Sequence, residues 1–178
     1  MRRCLPLLMV CGLLMVVFAT ACGEGESGPT SSPTGAANPT PTVLPFPFEG
    51  PVGIDLTTYG VFHKQGERVL LTITIAASEP ITLYYRTTQR YDIVISDAEG
   101  KEVWRWSKDK AFGEVLEQVS LQASETLSFD EAWEQQDNDG RPVPTGNYTV
   151  IATSSHCDAN YENCGQLSAS GTIQIRPS

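Results

Sequence analysis

From about position 50 onward, apolar and polar residues alternate with a period close to two. Val69, Leu71, Ile73 and Ile75 alternate with Leu70, Thr72, Thr74 and Ala76, which describes a strand with one apolar face. Ile81, Leu83 and Tyr85 repeat the pattern after the Glu79-Pro80 turn. Tyr91, Ile93 and Ile95 lead into Asp97-Ala98-Glu99-Gly100, and Val103 to Trp106 reads as the hairpin partner. Leu127 with Phe129, Tyr148 with Val150 and Ile173 with Ile175 supply later strands. Lys110 to Val119 is the exception: Phe112, Val115, Leu116 and Val119 fit helical spacing, so either a single helical turn or an irregular strand accommodates them. Short strands punctuated by turns predict an all-β sandwich or barrel, and residues 50–178 suit one domain.

The first part of the chain follows a different pattern. Arg2 and Arg3 precede an apolar run of 14 residues, Leu5 to Phe18, and Ala19-Thr20-Ala21 supplies small residues before Cys22. This is the layout of a signal peptide, residues 1–21, and the run falls short of the roughly 20 apolar residues a membrane span needs. The Ala-Thr-Ala-Cys ending resembles a bacterial lipobox, with Ala19 where Leu is usual, so Cys22 is the expected lipidation site; the alternative is an ordinary secretory cut that leaves its thiol free. Residues 22–49 then read as a tether rich in Gly, Ser, Thr and Pro, with too little apolar area to offset the entropy of ordering. As a flexible coil, the stretch from Gly23 to Pro47 would hold the domain roughly 25 to 30 Å from the bilayer.

Of the five cysteines, Cys4 and Cys11 leave with the signal and Cys22 carries lipid. Cys157 and Cys164 remain, and an even pair outside the cytoplasm is most simply a disulfide. Loss of Arg2 and Arg3 leaves 10 basic against 21 acidic residues, a net charge of −11. Such a surface repels phosphate backbones and anionic headgroups, so nucleic acid is not an expected partner, and the membrane is reached through the lipid anchor only.

Candidate chemistry is sparse. A hydrolase needs a nucleophile beside a positioned base, yet only His63 and His156 are available and no Gly-x-Ser-x-Gly motif occurs. No catalytic residue and no cofactor are therefore assigned. Trp104 and Trp106 share a strand face, where core packing is the expected role and an exposed carbohydrate platform the alternative. Asp137-Asn138-Asp139-Gly140 resembles the opening of a calcium loop, but Arg141-Pro142-Val143-Pro144 follows and the bidentate Glu is missing, so a turn is expected. His156, Cys157 and Cys164 with Asp158 or Glu162 fit no standard zinc spacing, and the disulfide is preferred.

The middle of the chain resembles a known family. Tyr91-Asp92-Ile93-Val94-Ile95, then Asp97-Ala98-Glu99-Gly100-Lys101-Glu102-Val103-Trp104-Arg105-Trp106-Ser107, then Phe112, Trp133 and Gly146-Asn147-Tyr148-Thr149-Val150 are together similar to the BsuPI intracellular proteinase inhibitors, over about Val69 to Thr153. The resemblance implies an immunoglobulin-like antiparallel β-sandwich and inhibition of a serine proteinase. The export signal and the cysteine loop within Ser154 to Ser178 lie outside it. Two functions stay open: a tethered inhibitor that presents a rigid loop, with Gly140 to Gly146 or Ser107 to Phe112 as candidates, and a non-inhibitory module that holds an envelope protein or polysaccharide. Neither loop can be assigned from the residues alone.

If Cys22 carries the anchor, Cys22→Ala blocks lipoprotein processing and moves the protein out of the membrane fraction. Unchanged detergent partitioning of the variant would disprove the assignment.

Overall fold

The computed structural model describes residues 50–178. The signal peptide, Cys22 and the tether lie outside these residues. Ten strands and no helix occur among them: β1 (Val52–Thr58), β2 (Phe62–Lys64), β3 (Val69–Ala77), β4 (Ile81–Thr87), β5 (Tyr91–Ser96), β6 (Glu102–Arg105), β7 (Glu114–Leu121), β8 (Thr126–Trp133), β9 (Gly146–Ser154) and β10 (Ser168–Arg176).

The strands form two main sheets, β1-β3-β8 and β2-β10-β9-β5-β6, and a two-stranded ribbon, β4-β7. Period-two patterning decides which faces meet. Val69, Leu71 and Ile73 of β3 are fully buried and join Tyr91, Ile93 and Ile95 of β5, Tyr148, Val150 and Ala152 of β9, and Ile173 and Ile175 of β10 in one core between the sheets. A second cluster, Ile75, Ala77, Leu83, Tyr85 and Leu121, lies where the ribbon meets the end of β3. This is a β-sandwich whose interior is the sum of alternate residues from both sheets.

One pairing is not antiparallel. The link after β1 crosses to the second sheet, where β2 runs parallel to β10 with His63 opposite Ile175, before the chain returns to the first sheet as β3. The ambiguous stretch before Val119 is settled as strand β7, which pairs with β4 in a register from Ile81 with Leu121 to Thr87 with Glu114, interrupted by a shift between Tyr85 and Thr87. Its helical spacing is coincidental: Val115 and Leu116 are exposed, while Val119 packs against the second cluster and Leu121 is buried within it.

Trp133 and Tyr148 fix how β8 hands over to β9. The Trp133 side chain is 1% exposed, its Nε1–H donates to Gln136 O at 2.8 Å, and its ring meets Tyr148 edge-on with centroids 5.5 Å apart. The Tyr148 hydroxyl donates to Pro144 O at 2.7 Å, four residues upstream. A tyrosine that leans back on its own entering loop is the tyrosine corner of immunoglobulin-like sandwiches.

Tyr148→Phe keeps the ring and removes this one bond, so the expected loss is about 1 kcal/mol. In urea titration the midpoint should fall with the slope unchanged; a midpoint equal to wild type would show that the corner contributes nothing.

Candidate functional site

Three loops gather the groups that the sheets do not use: 106–113 between β6 and β7, 134–145 between β8 and β9, and 155–167 between β9 and β10. They differ in how much of each is committed to holding the fold.

The first loop leaves the sheet at Trp106, whose N–H still donates to Ile93 O at 2.9 Å. Its ring lies against Tyr91 with centroids 4.4 Å apart, and Tyr91 lies against Phe129 of β8 at 4.7 Å. On the other side Trp106 meets Phe112 at 5.8 Å. Four rings therefore run in a row from the first sheet, across the interior, to the surface loop. The Lys110 ammonium rests on the Trp106 ring, 3.6 Å from its centroid, a contact worth about 0.5–1 kcal/mol at an exposed site. The Trp106 Nε1–H is buried without a hydrogen-bond partner among the described residues. The Tyr91 hydroxyl donates to Glu131; burial, then that bond and charge, push its pKa well up, so it stays a donor.

Asp92 holds the root of the loop. Its carboxylate accepts from Ser107 N–H at 3.2 Å, Ser107 Oγ at 2.9 Å and Arg105 at 2.7 Å, as well as from Ile93 N–H at 2.9 Å. Arg105 also bonds Glu102 at 2.7 Å, and this guanidinium is the main reason the Glu102 carboxyl titrates below its ordinary range. The other end is clamped by Thr88, which exchanges two bonds with Gly113: its N–H donates to Gly113 O and its Oγ1 accepts from Gly113 N–H, both at 3.0 Å. A Cβ on Gly113 would lie 3.3 Å from Thr88 Cγ2, so glycine suits the close approach. In the middle, Lys108 Nζ donates to Asn138 O at 3.0 Å and Lys110 N–H to Ser107 O at 3.2 Å. Ala111 and Phe112 make no backbone hydrogen bond among the described residues.

The second loop is spent on structure. The Asp137 carboxylate accepts from the N–H groups of Asp139 and Arg141, each at 2.9 Å, and these bonds, that of Arg141 foremost, hold its pKa below the usual range. Gly140 has φ +78, so the calcium-like motif is a self-bonded turn. Val143, at the centre of the other candidate, Gly140 to Gly146, is 2% exposed; its N–H bonds Gln135 O and its C=O accepts from Gln65. Asn138 seals the open edge of β6, taking Val103 O with its N–H at 2.8 Å and Arg105 N–H with its Oδ1 at 2.9 Å.

In the third loop the structure bonds Cys157 to Cys164. Cys157 N–H donates to Tyr84 O at 2.8 Å and Tyr161 packs edge-on against Tyr84 at 5.3 Å, so the loop docks on β4. Asp158 accepts from Asn160 N–H, Glu162 N–H and Asn163 Nδ2, and no cluster of metal-ligating side chains occurs among the described residues. His156 Nδ1 meets Ser154 Oγ at 2.8 Å, and burial lowers its pKa. An open groove of about 410 Å³ runs between β4 and this loop. His63, the other histidine, is buried and bonds Gly60 O at 2.9 Å. Trp104 and Trp106 both pack against the core rather than forming an open platform.

The fold is an immunoglobulin-like sandwich with a braced, outward-facing loop. The comparison with known families makes the class specific: residues 57–156, more than half of the chain, match BsuPI, the intracellular proteinase inhibitors, and the chain belongs to this family. The match ends just before Cys157, so the disulfide loop and β10 lie beyond it. No curated protein matches the chain. Among solved structures it is similar to the alkylpurine DNA glycosylase of Pseudomonas fluorescens bound to DNA (19% identity, TM-score 0.40, 71% of this chain and 30% of that one). It is similar also to a CARDB domain from Pyrococcus furiosus in complex with di-metal ions (12%, 0.40, 70% and 87%) and to the sporulation control protein Spo0M of Bacillus subtilis (16%, 0.41, 72% and 50%). Likenesses this distant carry no argument about what the chain binds.

The sequence separation of 7 between the bridged cysteines puts the stabilisation at about 2 to 3 kcal/mol in the chain-entropy account. Replacing both cysteines by Ser should lower the melting temperature while leaving the far-ultraviolet spectrum of a β-sandwich. Loss of all cooperative unfolding would mean that the loop is part of the core rather than an addition to it.

Proposed function

We propose that the chain is an inhibitor without catalytic activity of its own, anchored by lipid at Cys22 to the outer face of a bacterial membrane and raised on the 22–49 tether. It docks a serine proteinase through residues 107–113. Family membership supports the inhibitor part of this reading. The choice of loop is carried by one observation: Ala111 and Phe112 have unpaired backbone groups, while both flanks of the segment are fixed, by Asp92 at Ser107 and by Thr88 at Gly113.

That combination suits inhibition. A proteinase cleft binds backbone as a strand would, so a docking segment needs free N–H and C=O groups. A segment already held in place forfeits little entropy on binding, which is where tight inhibitors gain affinity. Residues 140–146 fail the first condition, since Val143 is buried and bonded at both its N–H and its C=O.

The mature chain with Cys22→Ser, to keep it in solution, should inhibit at least one serine proteinase stoichiometrically. Asp92→Asn, which weakens the grip on Ser107 and Arg105, should raise the inhibition constant roughly tenfold, equivalent to about 1.4 kcal/mol, whereas Pro142→Ala should leave it unchanged. Absence of inhibition across trypsin-like, chymotrypsin-like, elastase-like and subtilisin-like enzymes would favour the non-inhibitory envelope module.

A further inference from the structure

The segment carries five side chains beyond its root, four of them exposed and Phe112 half-buried, and their surroundings differ. Lys108 is held by Asn138 O at 3.0 Å and lies 3.8 Å from the Asp139 carboxylate. Asp109 sits at φ +60, a backbone setting that turns the chain rather than offering it to a cleft. Phe112 ends the row of rings, and withdrawing it would uncover Trp106. Ala111 is exposed but reaches no depth. Lys110 is exposed, long and tied only to the face of Trp106, and it makes no ion pair among the described residues.

We infer that Lys110 is the residue that enters the partner's primary specificity pocket, and that the partner is a serine proteinase whose pocket ends in a carboxylate. This rests on the assignment of 107–113 as the docking segment. Lys110 is the one side chain of the five that can leave without dismantling the loop, because its exposed cation–π contact is small compared with a charge-assisted bond inside a desolvated pocket. Departure of its ammonium leaves Trp106 still covered by Tyr91 and Phe112. The charge pattern agrees. The mature chain is strongly acidic, and with Lys108 beside Asp139, Lys110 is the cation of this segment without an ion-pair partner among the described residues. A carboxylate at the base of the partner's pocket would supply the missing counter-charge to Lys110.

The test uses the mature chain with Cys22→Ser against three serine proteinases, which cleave after basic, large aromatic and small apolar residues. Wild type should inhibit the first most strongly. Lys110→Met, which keeps the stem and removes the charge, should weaken that inhibition by roughly 100-fold, while Lys110→Arg should restore it to within about tenfold of wild type. Unchanged melting temperatures show that both variants fold. If the basic-specific enzyme is not the one inhibited most strongly, or if Lys110→Met inhibits it as well as wild type, the assignment of Lys110 is overturned. The docking segment then still stands provided Asp92→Asn weakens whichever inhibition is seen. If no enzyme is inhibited, the proposed function itself fails.

Discussion

The placement of Trp106 between Tyr91 and Phe112 is the constraint on which the candidate site depends. Where β6 ends, the chain must leave the second sheet and cross to the ribbon as β7. An unsupported crossing of this length would be a mobile surface loop. Here a side chain of indole size packs against the core through Tyr91 and Phe129, and the loop folds over it. Burial of large aromatic surface is what makes the crossing rigid, since such rings contribute more than any single hydrogen bond around them. The Asp92 and Thr88 bonds then set the orientation of the two ends.

Each exposed sheet edge is a template for unwanted pairing, and the fold deals with two of them by local means. Asn138 occupies the outer edge of β6 with a backbone and a side-chain bond. The disulfide loop places Cys157 against Tyr84 on β4. The acidic composition works in the same direction, because net charge opposes self-association. Ala111 and Phe112, in the crossing between β6 and β7, keep backbone groups without a partner among the described residues.

Most of the sheet framework was legible because one buried face per strand writes a period of two into the sequence. Val69 to Ile75 and Tyr91 to Ile95 are strands in the structure for that reason. Strand β1 carries the same signal in Val52, Ile54 and Leu56, while β2, at three residues, is too short for any period to register. The stretch before Val119 was ambiguous because an edge ribbon leaves apolar residues such as Leu116 outside, which breaks the alternation. The loop was harder still. Its bracing is made by residues distant in sequence, Asp92 with Ser107, Thr88 with Gly113 and Asn138 with Lys108. Nothing in their spacing announces that they meet. What separated 107–113 from 140–146 was the burial of Val143, which only packing reveals.

The central claim is that residues 107–113 are held in place before any partner arrives, and amide relaxation of the free, nitrogen-labelled protein tests it most directly. Order parameters for Lys108 to Gly113 should match the strands, at about 0.85, with Ala111 and Phe112 no lower than their neighbours. Values below about 0.6 across the segment would contradict the account, because a loop that flexible could not rest on the aromatic row as described.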